Sequence, residues 1–101
     1  MYLCNYRVIM EFEWDEAKNA LNIEKHGINF YDVRDMFNHP MWVRLDDRVD
    51  YGEDRWVGIG LLSRRLGVVL YTERCGNTIR IISARKANKM EIRGYEKSFK
   101  N

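Results

Sequence analysis

Hydrophobic residues recur along the chain with two different periods, and each change of period marks a change of predicted element. Residues 10–14 (MEFEW) alternate apolar and acidic side chains, which is the pattern of a half-buried strand. Asp15 then offers an N-cap to a helix that ends near His26. A second short helix is predicted over 30–37, and it stops before Pro40 because proline disfavours helix in the residue ahead of it. The predicted apolar face of the first helix consists of Ala17, Ala20 and Leu21.

From residue 41 onward the hydrophobic period falls to two, and four strands follow in succession. They are predicted near 41–46, 55–62, 66–72 and 78–84, separated by turn-rich or glycine-containing segments. Over residues 87–95 the side chains again recur at the spacing of a helix, which predicts a final helix. This order predicts an α+β domain, in which helices pack mainly against one face of an antiparallel meander sheet. The residues expected to be mostly buried are Trp56, Ile59, Val69, Ile79 and Ile81.

Length and composition indicate a single domain over residues 10–101. A chain of 101 residues, 46% of them hydrophobic, can bury a core without disulfides or a metal. Residues 1–9 are predicted to be a non-native or flexible extension, with Met10 as the alternative start. They are too short and too polar for a signal peptide, and no apolar run approaches the ~20 residues that span a bilayer. Because Cys4 and Cys75 are isolated, we expect reduced thiols in a cytoplasmic protein that does not act at a membrane.

Charge is distributed unevenly along the chain, although the net charge is only +2. Residues 1–73 carry 9 Lys/Arg against 13 Asp/Glu, whereas residues 74–101 carry 8 against 2. A strongly basic C-terminal segment suggests a polyanionic partner such as nucleic acid. The alternative is a C-terminal helix whose charges are simply solvated.

The familiar motifs of hydrolases, nucleotide-binding proteins and metalloenzymes do not occur in the sequence. It contains no GxSxG, P-loop, GxGxxG, HExxH or paired-carboxylate metal motif. His26 and His39 are too few for a ribonuclease that uses one histidine as base and another as acid, unless the two converge. We therefore predict neither a metal nor a cofactor.

Arginines near the last predicted strand are the main candidates for chemistry. Arg74 lies at the end of one strand, Arg80 lies within the next, and Arg85 and Lys86 lie where that strand leads into the final helix. A planar guanidinium can bind a phosphate through two hydrogen bonds and can stabilise the charge of a phosphorane transition state. The alternative for each arginine is a solvated surface position.

Two further sites each allow a structural and a functional interpretation. Glu53 follows a glycine at the start of a strand, where it could act as general base on a ribose 2′-hydroxyl or form a salt bridge to Arg55 or Arg74. Lys25 and His26 precede Gly27, so they could complement the dipole of a helix that ends at this glycine or could hold an anion. The two roles of the Lys25–His26 pair are compatible, because the cap uses the backbone and leaves the side chains available.

The segments FEWDEAKNALNIEKHGINF, YGEDRWVGIG, YTERCGNTIRIISARKAN and EIRGYE, taken together and in this order, resemble the BrnT-type toxins of bacterial type II toxin–antitoxin modules. The resemblance covers nearly all of the chain from Met10 onward, and its most specific signatures are WDxxKxxxNxxKHGxxF and RIISARKA. It implies a RelE-like fold and a ribonuclease that inhibits translation. It also implies an antitoxin as partner, typically a ribbon-helix-helix protein. The toxin is expected to contact operator DNA only through this antitoxin.

By motif position the resemblance assigns the active site, and the basic residues around it are expected to bind RNA. The predicted catalytic residues are Lys25, His26, Glu53, Arg74, Arg80 and Arg85. The predicted RNA-binding residues are Lys18, Lys86 and Lys89. The first hypothesis is a metal-independent endoribonuclease, in which a 2′-hydroxyl attacks the adjacent phosphate. The second is a binding module without catalysis, and a proton acceptor positioned beside the arginines would distinguish the first from the second.

Overall fold

The computed structural model describes residues 2–4, 11–48, 50–74 and 76–99, and its elements follow the predicted order from residue 11 onward. The strands are β1 (Tyr2–Cys4), β2 (Glu11–Glu13), β3 (Met41–Leu45), β4 (Trp56–Leu62), β5 (Arg65–Arg74) and β6 (Thr78–Lys86). The helices are α1 (Glu16–His26), α2 (Phe30–Val33), which a 3₁₀ helix (Arg34–Asn38) extends, and α3 (Lys89–Phe99). The predicted α+β fold is therefore confirmed.

The sheet has six strands in the order β1-β3-β4-β5-β6-β2. Strands β3 to β6 form the predicted antiparallel meander. The sequence did not predict that β2 would pair parallel to β6, or that β1 would pair antiparallel to β3. Strand β1 lies within residues 1–9, and the interpretation of that segment as a non-native or flexible N-terminal extension stays a prediction.

Side chains alternate between two faces of this sheet. The inner face packs against α1 and α2, and its core includes Val69, Ile79 and Ile81. The outer face carries a smaller cluster formed by Val57, Ile59 and Val68, and α3 packs there through Tyr95. Of the residues expected to be buried, Ile59, Val69, Ile79 and Ile81 are buried and Trp56 is half-buried.

A β-bulge in β6 determines which side chains reach the outer face. Leu70 pairs with Ser83 and Tyr71 pairs with Ile81, so that Ile82 is left without an opposite residue. The extra residue shifts the alternation by one position. Arg80 and Arg85, which are five residues apart and would otherwise point to opposite faces, therefore both lie on the outer face.

Helix α1 is oriented differently from the prediction. Its predicted apolar face, Ala17, Ala20 and Leu21, is exposed, and the residues that it buries are Asn19 and Asn22. The Asn22 side chain accepts a hydrogen bond from the Ala84 backbone N–H of β6 at 3.1 Å and donates to the Ile28 carbonyl at 3.0 Å. Periodicity misidentified the face because this helix is attached by side-chain amides rather than by apolar contacts.

Further motif residues define the boundaries and the connection of α1. Asp15 accepts hydrogen bonds from the Ala17 and Lys18 backbone N–H groups, as expected of an N-cap, and Gly27 ends the helix with a φ of 70°. The Asn19 side chain accepts from the Phe30 backbone N–H at 2.9 Å and thereby fixes the start of α2. Much of the WDxxKxxxNxxKHGxxF signature is thus structural.

Candidate active site

A glutamate lies between two arginines on the outer face. Arg80 Nη1 donates to Glu13 Oε2 at 2.9 Å, and Arg74 Nη1 lies 3.7 Å from the same oxygen. All three side chains remain accessible, with 34% of Arg80, 40% of Glu13 and 51% of Arg74 exposed. The cluster therefore places one proton acceptor and two guanidinium groups where a ligand can reach them.

Three strands bring these residues together. The parallel register places Glu13 of β2 opposite Arg80 of β6. Across the next pair, Arg80 lies opposite Thr72 and Arg74 lies opposite Thr78. Because side chains two residues apart in a strand share a face, Arg74 projects on the same side as Thr72 and Arg80.

Arg85 has a different environment, although it lies on the same face. Its Nη1 and Nη2 atoms each donate to one Glu91 oxygen at 2.8 Å. Glu91 also accepts from the Asn88 backbone N–H, and the Asn88 side chain accepts from the Glu91 N–H, which is the reciprocal arrangement of a capping box. The Arg85 guanidinium holds the pKa of Glu91 below its ordinary value of 4.5, although burial acts in the opposite direction. Arg85 thus links β6 to the start of α3.

The structure does not bring the three candidate arginines to one point. Arg80 and Arg85 are five positions apart in β6, so their Cα atoms are about 16 Å apart. Arg74 and Arg80 share one carboxylate, while Arg85 is bound to another. The expectation that all three bind the same phosphate therefore changes to Arg74 and Arg80 at one position, with Arg85 elsewhere on the face.

Glu53 forms a salt bridge with Arg55, which is the structural role that the sequence analysis gave as the alternative to catalysis. Its Oε2 atom accepts from Arg55 Nε at 3.3 Å, and the Arg55 guanidinium lies 4.0 Å from the centre of the Tyr51 ring. In the same loop, Asp46 accepts from Arg48 and Tyr51. These contacts position Glu53 within the β3–β4 loop.

The loop is held by one buried carboxylate. The Asp46 side chain has no exposed surface and accepts from Arg48 Nε at 2.8 Å and Nη2 at 3.0 Å. Hydrogen bonds from Arg48 lower the pKa of Asp46 to about 2, although burial acts against them. Asp46 consequently ties Arg48 and Tyr51 of the β3–β4 loop to the end of β3.

Lys25 and His26 lie away from the arginine–glutamate cluster. They form the last turn of α1, which packs on the inner face of the sheet. His26 lines a separate groove, to which Lys86 also contributes. Lys18 and Lys89 are exposed, and among the described residues neither forms a salt bridge.

Glu13 is the residue that sequence reasoning missed. Its position in MEFEW showed that it points away from the apolar side of a strand, but not which strand would lie beside it. The parallel pairing of β2 with β6 supplies that neighbour. Among the described residues, no group of three or more His, Cys, Asp or Glu side chains could hold a metal ion. In the same residues no helix is long and apolar enough to span a bilayer.

Comparison with known proteins shows that the fold is that of a toxin from a type II toxin–antitoxin system. Residues 14–91 match the family model described as "Ribonuclease toxin, BrnT, of type II toxin-antitoxin system". The chain belongs to this BrnT family of ribonuclease toxins, and membership implies an antitoxin as its partner.

A solved structure supports the same assignment. The chain is similar to the crystal structure of the Brucella abortus ribonuclease toxin BrnT, with a TM-score of 0.61 and 25% sequence identity. The match covers 80% of this chain and 100% of the Brucella protein. No protein with a curated description matches the chain.

Proposed function

We propose that this protein is an endoribonuclease that cleaves RNA by attack of a ribose 2′-hydroxyl on the adjacent phosphate, without a metal ion. The observation that carries the proposal is the position of Glu13, 2.9 Å from Arg80 and 3.7 Å from Arg74. It is the proton acceptor beside an arginine cluster that distinguishes a ribonuclease from a binding module. Family membership supports the ribonuclease activity, and the detailed mechanism is our inference.

Arg74 and Arg80 would bind the scissile phosphate and stabilise the negative charge that its oxygens gain in the transition state. In the free protein, Arg80 is bound to Glu13. A phosphate that enters competes for the guanidinium, which leaves the Glu13 carboxylate available to a nearby hydroxyl.

The reaction forms the bond from the 2′ oxygen to phosphorus and breaks the bond from phosphorus to the 5′ oxygen. The proton of the 2′-hydroxyl passes to Glu13, and the departing 5′ oxygen takes a proton from water. The products are a 2′,3′-cyclic phosphate and a 5′-hydroxyl. The proposal gives Glu13 the role of base that the sequence offered to Glu53 or His26, because those two side chains lie in other parts of the fold.

The direct test is to incubate the purified protein with RNA, with and without EDTA, and to identify the ends of the products. Cleavage that persists in EDTA and gives 2′,3′-cyclic phosphate ends is the expected result. Complete loss of cleavage in EDTA, or products with 3′-hydroxyl ends, would contradict the mechanism. Growth arrest on expression would distinguish a toxic ribonuclease from a module that only binds.

The cellular role that we propose is inhibition of translation in the cytoplasm, reversed by a ribbon-helix-helix antitoxin that also carries the complex to operator DNA. Lys89 is exposed at the start of α3, where it could contact an acidic side chain of that partner. Charge reversal at Lys89 should weaken the complex and alter its salt dependence. Unchanged affinity at low salt would place the contact on another surface.

A further inference from the structure

A groove of about 700 Å³ lies outside the arginine–glutamate cluster, at the end of the sheet where the β4–β5 turn and the end of β6 meet. Its basic side chains are Arg64 of the turn, Arg65 at the start of β5 and Lys86 of β6, and His26 at the end of α1 also lines it. Its acidic side chains are Asp32 and Asp35, from α2 and the 3₁₀ helix. A groove of this volume is large enough for one small organic ligand.

Apolar surface is also present in the groove. Ile28 and Leu62 both line it, and both contribute to the inner core. Guanidinium planes such as those of Arg64 and Arg65 can stack on an unpaired base, and apolar side chains can contact its other surface. The groove therefore offers apolar and guanidinium surface to a base and cationic side chains to a phosphate.

The β4–β5 turn, which carries Arg64 and precedes Arg65, has an unfavourable backbone conformation. Ser63 has a φ of 59°, and among the described residues no other residue besides glycine has a positive φ. It is the first residue of a two-residue loop between the paired Leu62 and Arg65, a position that favours glycine. Such conformations are concentrated at functional sites. Ser63 lines the groove, where its hydroxyl is available as a hydrogen-bonding group.

We propose that this groove binds a nucleotide of single-stranded RNA that flanks the cleavage site. Arg64, Arg65 and Lys86 bind its phosphate, with Ser63 as a further donor. Asp32 or Asp35 accepts a hydrogen bond from a base amino group, which acts as the donor. Because these carboxylates would repel a bare phosphate, a nucleotide suits the mixture of charges better than phosphate alone.

The position of the groove determines which part of the RNA it binds. Lys86 follows Arg80 by six positions in β6, which is about 20 Å along the strand. The bulge turns Lys86 to the inner face, whereas Arg80 lies on the outer face, so an RNA that reaches both the groove and the arginine–glutamate cluster passes around the end of the sheet. The nucleotide that it binds is therefore several positions from the scissile phosphate. This inference rests on the proposed ribonuclease activity, since it requires that RNA is the substrate.

Binding can be measured independently of cleavage with a fluorescent 2′-O-methyl RNA of about 12 nucleotides, which has no nucleophilic hydroxyl. The double variant Arg64→Glu, Arg65→Glu should weaken binding by about tenfold and should reduce the slope of log affinity against log salt by about one, because one phosphate contact is lost. The matched control is Arg93→Glu, Lys97→Glu on α3, which makes the same change in net charge and should keep an affinity close to that of the wild type. Equal effects of the two double variants would overturn the proposal.

A second variant avoids the addition of negative charge. Ser63→Gly removes the hydroxyl and relieves the unfavourable backbone conformation, so it should weaken RNA binding about threefold without lowering the Tm. Unchanged RNA affinity in this variant would contradict the role of Ser63. If Arg64→Glu, Arg65→Glu left RNA binding intact but weakened association with the antitoxin, the groove would be a protein-docking surface and the proposal would be wrong.

Cleavage assays separate a failure of this inference from a failure of the proposed function. The Arg64→Glu, Arg65→Glu protein should cleave a dinucleotide as the wild type does, because a dinucleotide cannot reach the groove. For the longer, cleavable RNA, the KM should rise while kcat stays the same. Identical kinetics on the longer RNA would overturn the groove inference alone, whereas absence of cleavage by the wild-type protein would overturn the proposed function.

Discussion

Arg80 and Glu13, separated by 67 positions in sequence, meet through a 2.9 Å hydrogen bond that joins β6 to the parallel edge strand β2. The strand pairing brings the carboxylate to the guanidinium, and the half-exposed surroundings leave both accessible. This pair, together with Arg74, is the part of the molecule on which the proposed chemistry depends.

Removal of either member of this pair should reduce the rate of cleavage more than RNA binding. Loss of one donor that stabilises charge in the transition state typically lowers kcat by about 10²–10³, and loss of a general base lowers it by about 10²–10⁴. Arg80→Ala and Glu13→Gln are therefore expected to lose kcat while their affinity for RNA changes little. Arg80→Lys should restore little activity because an ammonium lacks the planar pair of donors.

The control for Glu13→Gln is Glu96→Gln, which makes the same chemical change at an exposed position of α3. Rates should be measured on proteins with matched far-UV circular dichroism, because loss of the Glu13–Arg80 pair also removes a contact between strands. A well-folded Arg80→Ala, Glu13→Gln double variant with wild-type kcat would place the chemistry elsewhere on the protein.

Asn22 should be among the most sensitive positions for stability. Asn22→Ala leaves the Ala84 N–H and the Ile28 carbonyl without their partner. A buried polar group left unpaired costs about 1–3 kcal/mol, and the Ile28 carbonyl is only partly buried, so we expect a loss of about 2–4 kcal/mol in the free energy of unfolding. Urea denaturation measures this quantity, and Asn38→Ala, at an exposed position, is the control. A loss below that of the control would show that the α1–β6 attachment does not depend on this amide.

The Arg85–Glu91 pair should contribute stability that depends on pH. The pKa of Glu91 is lowered in the folded protein, chiefly by the hydrogen bonds from Arg85. The contribution is consequently complete above the ordinary pKa of 4.5 and disappears as the pH falls through the lowered value. Glu91→Gln should lower the Tm at neutral pH, and its difference from the wild type should shrink below pH 4.5.

A double-mutant cycle tests whether Arg85 acts through Glu91. Arg85→Ala and Glu91→Ala should each loosen α3, and the effect of the second change should be smaller once the first is present. Because Arg85 is partly exposed, we expect a coupling energy of about 0.5–1 kcal/mol. Additive effects on the free energy of unfolding would mean that the two side chains contribute independently. A Tm difference between Glu91→Gln and wild type that does not change with pH would agree with that outcome.

Gly94 should be required for the close approach of α3 to the sheet. A Cβ atom at this position would lie 2.6 Å from Trp42 Cζ3, which is closer than real contacts allow. Gly94→Ala therefore forces Trp42 or α3 to move, at a cost of about 1–3 kcal/mol that outweighs the gain of about 1 kcal/mol in helix propensity. Lys97→Ala in the same helix is the control. Equal or higher stability of Gly94→Ala in urea denaturation would show that Trp42 can move aside at little cost.

Local interactions made much of this fold predictable from the amino-acid sequence. Asp15 caps α1 and Gly27 ends it, because both features depend only on residues within the same few turns. Period-two segments likewise located β3 to β6, since each of these strands has one side that contacts a core. The resemblance of the motifs to BrnT toxins indicated the family, which the family model confirms.

Contacts between distant elements were not encoded in any local pattern. The polar side of α1 is the buried side because Asn19 and Asn22 bind backbone groups of other segments, which hydrophobic spacing does not reveal. The bulge at Ile82 turned Arg85 to the same face as Arg80, and the pairing register placed Glu13 beside it. The sequence by itself therefore determined the elements, their order and the family. Only the tertiary structure decided which charged side chains meet, because register and strand pairing arise from long-range packing rather than from neighbouring residues.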